Sequence, residues 1–312
     1  MEEILVSIIC NAYNHEPYIR DALDGFVMQK TDFPFEVLVH DDASTDKTAE
    51  IIRQYEEKYP DIIKPVYQTE NQYSKKVSIG KTFQFPRAKG KYFAFCEGDD
   101  YWTDPLKLQK QVDALEKNPQ ADICAHTAQV VAAATKQPLH YLQPRQEDCL
   151  IPVEDVIYGE GGFVSTNSLV CRKEIVLTTP RFREDFQYDY TLQIAGALRG
   201  GMIYLNDNMS AYRSQAVGSW TTRMYQDTAA YDNFFRRKQQ MLQTLNEETG
   251  FRYDQTIQRR LDNNELQWFL IRGRWGQALE KKYRPYLRSL GRAEVVKTYI
   301  KWLMNYKPKR KK

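Results

Sequence analysis

The stretch "KYFAFCEGDDYW", residues 91–102, runs from apolar residues straight into three acids within four positions, Glu97, Asp99 and Asp100. Neighbouring carboxylates repel unless a cation, hydrogen-bond donors or open water compensates. Two further apolar runs also end in polar residues, "ILVSIICNAYN" (4–14) and "FEVLVHDDAST" (35–45). Near-continuous apolar runs of this length read as strands buried on both faces. In open α/β sheets, ligands bind outside the carboxyl ends of such strands.

Helical periodicity separates these runs. In "EPYIRDALDGFVMQ" (16–29), Ile19, Leu23, Phe26 and Val27 share one face. "DKTAEIIRQYEEKY" (46–59) reads as a second helix with Ser44 or Thr45 as its N-cap. "IIKPVYQ" (62–68) reads as a third strand, placed at an edge by Pro65. "DPLKLQKQVDALEKNP" (104–119) is a helix with Pro105 in its first turn, and "ADICAHTAQVV" (121–131) a fifth strand. This rhythm predicts βαβ units and an open, mostly parallel sheet flanked by helices. Beyond residue 135 the rhythm loosens. "GFVSTNSLVCRKE" (162–174) has a strand-like centre, "YDYTLQIAGALRGG" (188–201) is helical, and only helical patterns follow residue 223. The expected organisation is an α/β body over 1–222 and a helical, basic extension over 223–312.

Composition places the 312-residue chain among globular proteins, with 42% hydrophobic and 27% charged residues. Five widely spaced cysteines read as free thiols in a reducing cytoplasm. "MEEILVSIIC" has acids where a secretory signal needs bases, and no segment approaches the ~20 apolar residues of a membrane span. The net charge of +3 hides an asymmetry: residues 251–312 hold 17 Lys and Arg against five Asp and Glu. A basic tail on an acidic body points to a polyanionic surface as partner.

Several chemistries are excluded by missing motifs. "SIGKT" (78–82) resembles the end of a P-loop, but Lys75 stands where its first Gly belongs. No GxGxxG, HExxH or GxSxG occurs, which argues against a Rossmann dinucleotide site, a zinc hydrolase and a serine hydrolase. Tyr13 with the acids at the strand ends is instead suited to a base, a ribose and a divalent cation beside phosphates.

The ordered segments "SIICNAYNHEPYI", "EVLVHDDASTDKT", "AKGKYFAFCEGDDYW", "DYTLQI" and "AYRSQAVGSW" resemble the signature of the family 2 glycosyltransferases. The likeness spans roughly residues 4 to 220. It implies the GT-A (nucleotide-diphospho-sugar transferase) fold and inverting transfer of a sugar from a nucleotide-diphosphate donor, UDP-linked, to a glycan or lipid-linked acceptor. It further implies that Asp42, with Tyr13 and Asp41, meets the base. Glu97-Gly98-Asp99 stands where the family has Asp-x-Asp: Glu97 toward the ribose with Asp100 sharing that work, and Asp99 on the metal, Mn²⁺ or Mg²⁺. The family's general base corresponds to Asp189, with Glu184 and Asp185 as rivals. "AYRSQ" matches a Tyr-Arg-x-His pattern in which Gln215 replaces the His, leaving Arg213 to face phosphate. Trp102 and Thr166, the latter between Ser165 and Asn167, are candidates for the acceptor side.

"VVKTYIKWLMNYKPKRKK" (295–312) reads as an amphipathic basic helix suited to an anionic bilayer. The expected setting is cytoplasmic, peripheral on the inner face of the plasma membrane, without a nucleic-acid partner. The rival reading is a non-catalytic module that binds nucleotide or glycan inside a polysaccharide assembly complex, supported by the departures at Glu97 and Gln215.

Overall fold

The structure is a computed structural model and describes residues 3–216, 227–290 and 296. The chain divides into two compact units, Met1–Pro180 with Gln187–Gln226, and Arg181–Phe186 with Asp227–Lys312.

The first unit is built on one sheet. Strands β1 (Val6–Ala12), β2 (Phe35–Asp41), β3 (Ile63–Tyr67) and β4 (Tyr92–Phe95) pair in parallel in the order β3-β2-β1-β4. Their connections carry helices α1 (Ile19–Val27) and α2 (Thr48–Lys58). Val6, Ile8, Cys10, Val37 and Val39 are buried, as expected of strands covered on both faces. Phe26 and Leu23 of α1 join this core. The N-cap position of α2 falls to Lys47 rather than to Ser44 or Thr45, and the Asp46 side chain supports the first turn. Asp46 Oδ1 accepts from Thr48 N at 2.9 Å, while Ser44 Oγ accepts from Asn14 N at 3.0 Å.

Beyond β4 the pairing becomes mixed. The short β9 (Val170–Arg172) lies antiparallel between β4 and β6 (Ile123–Ala132). The 13-residue β10 (Met202–Ser214) runs parallel to β6, with register shifts between Leu205 and Ser210, and takes β5 (Tyr101–Trp102) along its far end. β7 (Pro138–Leu142) folds back on β6, and β8 (Cys149–Ile151) pairs with β10. Helices α3 (Lys107–Lys117), α4 (Val153–Gly159), α5 (Lys173–Leu177) and α7 (Asp189–Ala197) complete this unit. Helix α3 starts two residues after Pro105. All five cysteines are free, and Cys10, Cys96, Cys124 and Cys171 are buried.

The second unit is helical. Its parts are α6 (Arg181–Glu184), α8 (Thr228–Glu248), α9 (Asp254–Ile271), α10 (Trp275–Ala278) and α11 (Arg284–Ser289). Asp227 caps α8 by accepting from Ala229 N at 2.9 Å and Ala230 N at 3.0 Å. The Glu248 carboxylate accepts from Arg181 N and Phe182 N, each at 3.0 Å, and Phe186 packs on Phe234. Leu266, Ala278 and Tyr283 form its inner cluster. The amphipathic basic helix expected over 295–312 falls outside the described residues, apart from Val296. Among the described residues no helix is long and apolar enough to cross a membrane.

Candidate active site

Register brings the strand ends together. Ala12 lies opposite Asp41, and Ile9 opposite Phe95, so the segments after β1, β2 and β4 leave the sheet at one edge. Cys96 N donates to Ile9 O at 3.2 Å and Gly98 N to Asn11 O at 2.9 Å, stitching the acidic turn to the end of β1. Gly98 has to be small here. A Cβ would stand 2.8 Å from His15 Nδ1 and 2.9 Å from Ile19 Cδ1. At the neighbouring edge Ala43 takes φ +61°, a left-handed conformation costing an alanine on the order of 1–2 kcal/mol. Such strain collects where a loop must hold a set shape.

The acids at this edge differ in what they have left to offer. Asp42 has both carboxylate oxygens engaged, Oδ1 by Gln72 N at 2.8 Å and Oδ2 by Tyr73 N at 3.0 Å. It anchors the segment after β3. Asp41 Oδ2 accepts from Ser44 N at 3.3 Å, while its Oδ1 is buried without a hydrogen-bond partner. Burial raises the Asp41 pKa. Tyr13, just past β1, is 45% exposed, so its ring is accessible for stacking.

Glu97 is pushed up to about 8, first by burial and then by the charges of Asp99 and Asp189. Asn11 Nδ2 donates to Glu97 Oε1 at 3.4 Å, too weak a contact to offset that crowding. Asp100 is buried and raised well above its ordinary value by burial and by Asp99, although Arg213 N donates to its Oδ1 at 2.7 Å. Asp189 opens helix α7, where an anionic side chain meets the positive end of the helix dipole. The residue is exposed, and desolvation by the protein around it raises its pKa. The Thr166 hydroxyl donates to Asp189 Oδ2 and opposes that rise. Glu97, Asp99, Asp189 and Thr166 therefore form one constellation. Glu184 and Asp185 fall in the second unit.

Two expected side chains are turned to other work. Trp102 belongs to the core, not to an acceptor surface: it is 2% exposed, donates from Nε1 to Asn167 O at 2.9 Å, and packs edge-on against Phe26. Arg213 is buried and does not open toward a phosphate. Nη1 donates to Asp99 O at 2.7 Å, and Nη2 pairs with Asp21. Ser165 and Asn167 are scaffolding; Asn167 Nδ2 donates to Ala211 O at 2.9 Å. Gln215, in place of the family His, is exposed with φ +63°.

Three side chains were missed from the sequence. His15 has a buried Nδ1 without a partner beside Gly98, and its pKa is lowered by burial against the opposing pull of Asp99. Gln84 reaches across the sheet edge, donating to Cys10 O at 2.9 Å and Leu38 O at 3.0 Å. Lys107 is fully buried, with Nζ 2.7 Å from Gln111 Oε1 and 4.0 Å from the Trp102 ring centroid. The position of His15 just past the first strand run was the available signal; nothing in the pattern marked Gln84 or Lys107.

Among the described residues no three His, Cys, Asp or Glu side chains are arranged to hold a metal ion unaided. The donor set still suits a hard cation that takes one or two carboxylates and completes its shell with phosphate oxygens. Glu97 and Asp99 are crowded acids, and the nearby Arg213 guanidinium is already paired with Asp21. The residues fit the ion.

Sheet order, helical flanks and acids at one edge define a nucleotide-diphospho-sugar transferase fold. The glycosyl transferase family 2 model matches residues 7–177, and the chain belongs to that family. An uncharacterized protein of Mycobacterium tuberculosis is 36% identical over 226 residues, 69% of this chain and 60% of its own length. The chain thus spans about 60% of the length of that relative. Escherichia coli WfaP, a UDP-Glc:alpha-D-GlcNAc-diphosphoundecaprenol beta-1,3-glucosyltransferase, is 34% identical over 112 residues, 36% of this chain and 41% of WfaP. Residues 1–349 of TarS from S. aureus, in complex with UDP-GlcNAc, share the fold with a TM-score of 0.61 at 18% identity, covering 98% of this chain and 93% of that one.

Proposed function

We propose that this chain transfers a sugar, with inversion, from a nucleotide-diphosphate donor to a glycan or lipid-linked acceptor in surface polysaccharide synthesis. The observation that carries this reading is the convergence of Glu97, Asp99 and Asp189 at one sheet edge, where burial and mutual repulsion push Glu97 up to about 8. Carboxylates crowded in this way suit a site that receives a cation with its diphosphate. WfaP, a relative over about a third of the chain, is named for a UDP-sugar donor and a diphosphoundecaprenol-linked acceptor, which supports that donor and acceptor class here.

Asp99 would hold Mn²⁺ or Mg²⁺, with Glu97 and Asp100 beside it. When bound, such an ion would supply positive charge against the diphosphate leaving group. Asp189 accepts the proton of the acceptor hydroxyl. The acceptor oxygen forms its bond to the anomeric carbon from the face opposite the leaving group. The bond from that carbon to the diphosphate oxygen breaks, and the nucleoside diphosphate departs with its electron pair. Tyr13 offers a ring for the base, and Asp41 a buried oxygen for a donor group of base or ribose. The excess of Lys and Arg over 251–312 supports recruitment to an anionic membrane, the setting of lipid-linked acceptors.

A panel of nucleotide sugars tested with Mn²⁺ by thermal shift, then by transfer to a polyprenyl-diphosphate saccharide, tests this directly. A binder raises the melting point by linkage and is consumed with release of its nucleoside diphosphate. Binding without turnover on any acceptor overturns the catalytic reading in favour of a nucleotide-binding module.

A further inference from the structure

Arg213 lies beside a proposed cation site, and a bare guanidinium there would repel the metal. Its environment answers that problem. The side chain is 1% exposed and sandwiched between Tyr101, at 4.5 Å to the ring centroid, and Tyr18, at 5.1 Å. It grips the acidic turn at two points, Nη1 donating to the Asp99 carbonyl and the backbone N–H to the Asp100 carboxylate oxygen Oδ1, each at 2.7 Å. Its charge is met by Asp21 of α1, 192 residues away in sequence. Asp21 also receives Lys136 Nζ at 2.7 Å from the turn between β6 and β7, and that ammonium stands 5.4 Å from the Tyr101 ring centroid. Among the described residues, the carboxylate that forms an ion pair with the guanidinium comes from α1 and not from the acidic turn, although the Asp100 charge also acts on it.

Building on the functional reading above, we propose that Asp21 is a positioning residue for the donor site. It neutralises Arg213, so that this guanidinium holds the Asp99–Asp100 main chain in place without repelling the divalent cation bound by the same turn. Lys136 competes for the same carboxylate and sets how much of its charge reaches Arg213.

The test is Mn²⁺ binding by the full chain in the presence of UDP or GDP, read from the paramagnetic resonance of free Mn²⁺. Asp21→Asn is expected to weaken Mn²⁺ binding about tenfold, the usual scale for a residue that supports a metal ligand. Half-activating Mn²⁺ should rise in parallel, while kcat at saturating Mn²⁺ falls far less. Asp21→Glu, which keeps the charge, is expected to restore binding. Lys136→Met removes a half-exposed cation from Asp21 and is expected to tighten Mn²⁺ binding. Unchanged binding in Asp21→Asn, equal weakening in Asp21→Glu, or weakening in Lys136→Met would each overturn the inference. Should Asp21→Asn not fold, the Lys136→Met result decides. A parent chain that binds no Mn²⁺ with either nucleotide overturns the functional reading itself, whereas parent binding with variants that do not respond sinks only the role of Asp21.

Discussion

The hydroxyl of Thr166 donates a hydrogen bond to Oδ2 of Asp189, joining the segment before β9 to the first residue of α7. The contact stabilises the charged carboxylate, which burial by itself would push toward protonation. The proposed base role needs the ionised form, which this hydrogen bond favours.

Asp189→Asn is expected to lower kcat by about 10²–10⁴-fold, the usual contribution of a general base, with the donor KM changed little. Thr166→Val removes the donor that lowers the Asp189 pKa, so the acid limb of the kcat–pH profile should move to higher pH. Donor affinity falling as steeply as turnover in Asp189→Asn would refute the base assignment.

Asp99→Asn removes the carboxylate proposed to carry the cation. Turnover with Mn²⁺ is expected to fall about 10²–10³-fold, as when one group that stabilises developing charge is deleted. The melting point of the metal-free protein should not fall, because removing one of several crowded carboxylates relieves repulsion with Glu97 and Asp100. Full activity in this variant would exclude Asp99 from the metal.

Gly98→Ala places a methyl group 2.8 Å from His15 Nδ1 and 2.9 Å from Ile19 Cδ1. Overpacking of this kind costs about 1–3 kcal/mol. The acidic turn must shift to relieve it, so donor turnover should drop along with the urea midpoint. Wild-type turnover would show that the turn tolerates displacement.

Lys107 makes stability depend on pH in an alkaline window. Burial lowers its pKa from 10.5 to about 7. Between those values the unfolded chain holds the proton and the folded chain does not, so stability rises with pH across that window. Lys107→Met should abolish this slope in urea denaturation of the metal-free protein. Parallel pH curves for parent and variant would show that Lys107 stays charged in the core.

The parallel half of the sheet was legible because its strands are long apolar runs, whose period and burial agree. Ile8, Val37, Val39 and Phe93 are all buried as their neighbours in sequence require. Strands of two or three residues, such as β5 and β9, carry no periodicity of their own. They form because backbone groups at the sheet edge find partners far along the chain, with Phe93 level with Cys171 and Ser210 with Trp102. Arg181–Phe186 joins the second unit through Glu248 and Phe234, contacts that no local pattern announces.

By itself the sequence determined which residue types stand at each strand end, since apolar runs must stop where the sheet meets solvent. That placed acids at residues 41, 42, 97, 99 and 100 on one rim. What each acid has left to give was decided only by tertiary structure. Asp42 is taken by Gln72 and Tyr73, Arg213 by Asp21, and Trp102 by the core, whereas Asp189 arrives beside Glu97 from 92 positions along the chain. Periodicity reports which face of an element is buried. It carries no information about which partner, tens of residues away, occupies the remaining hydrogen bonds and charges.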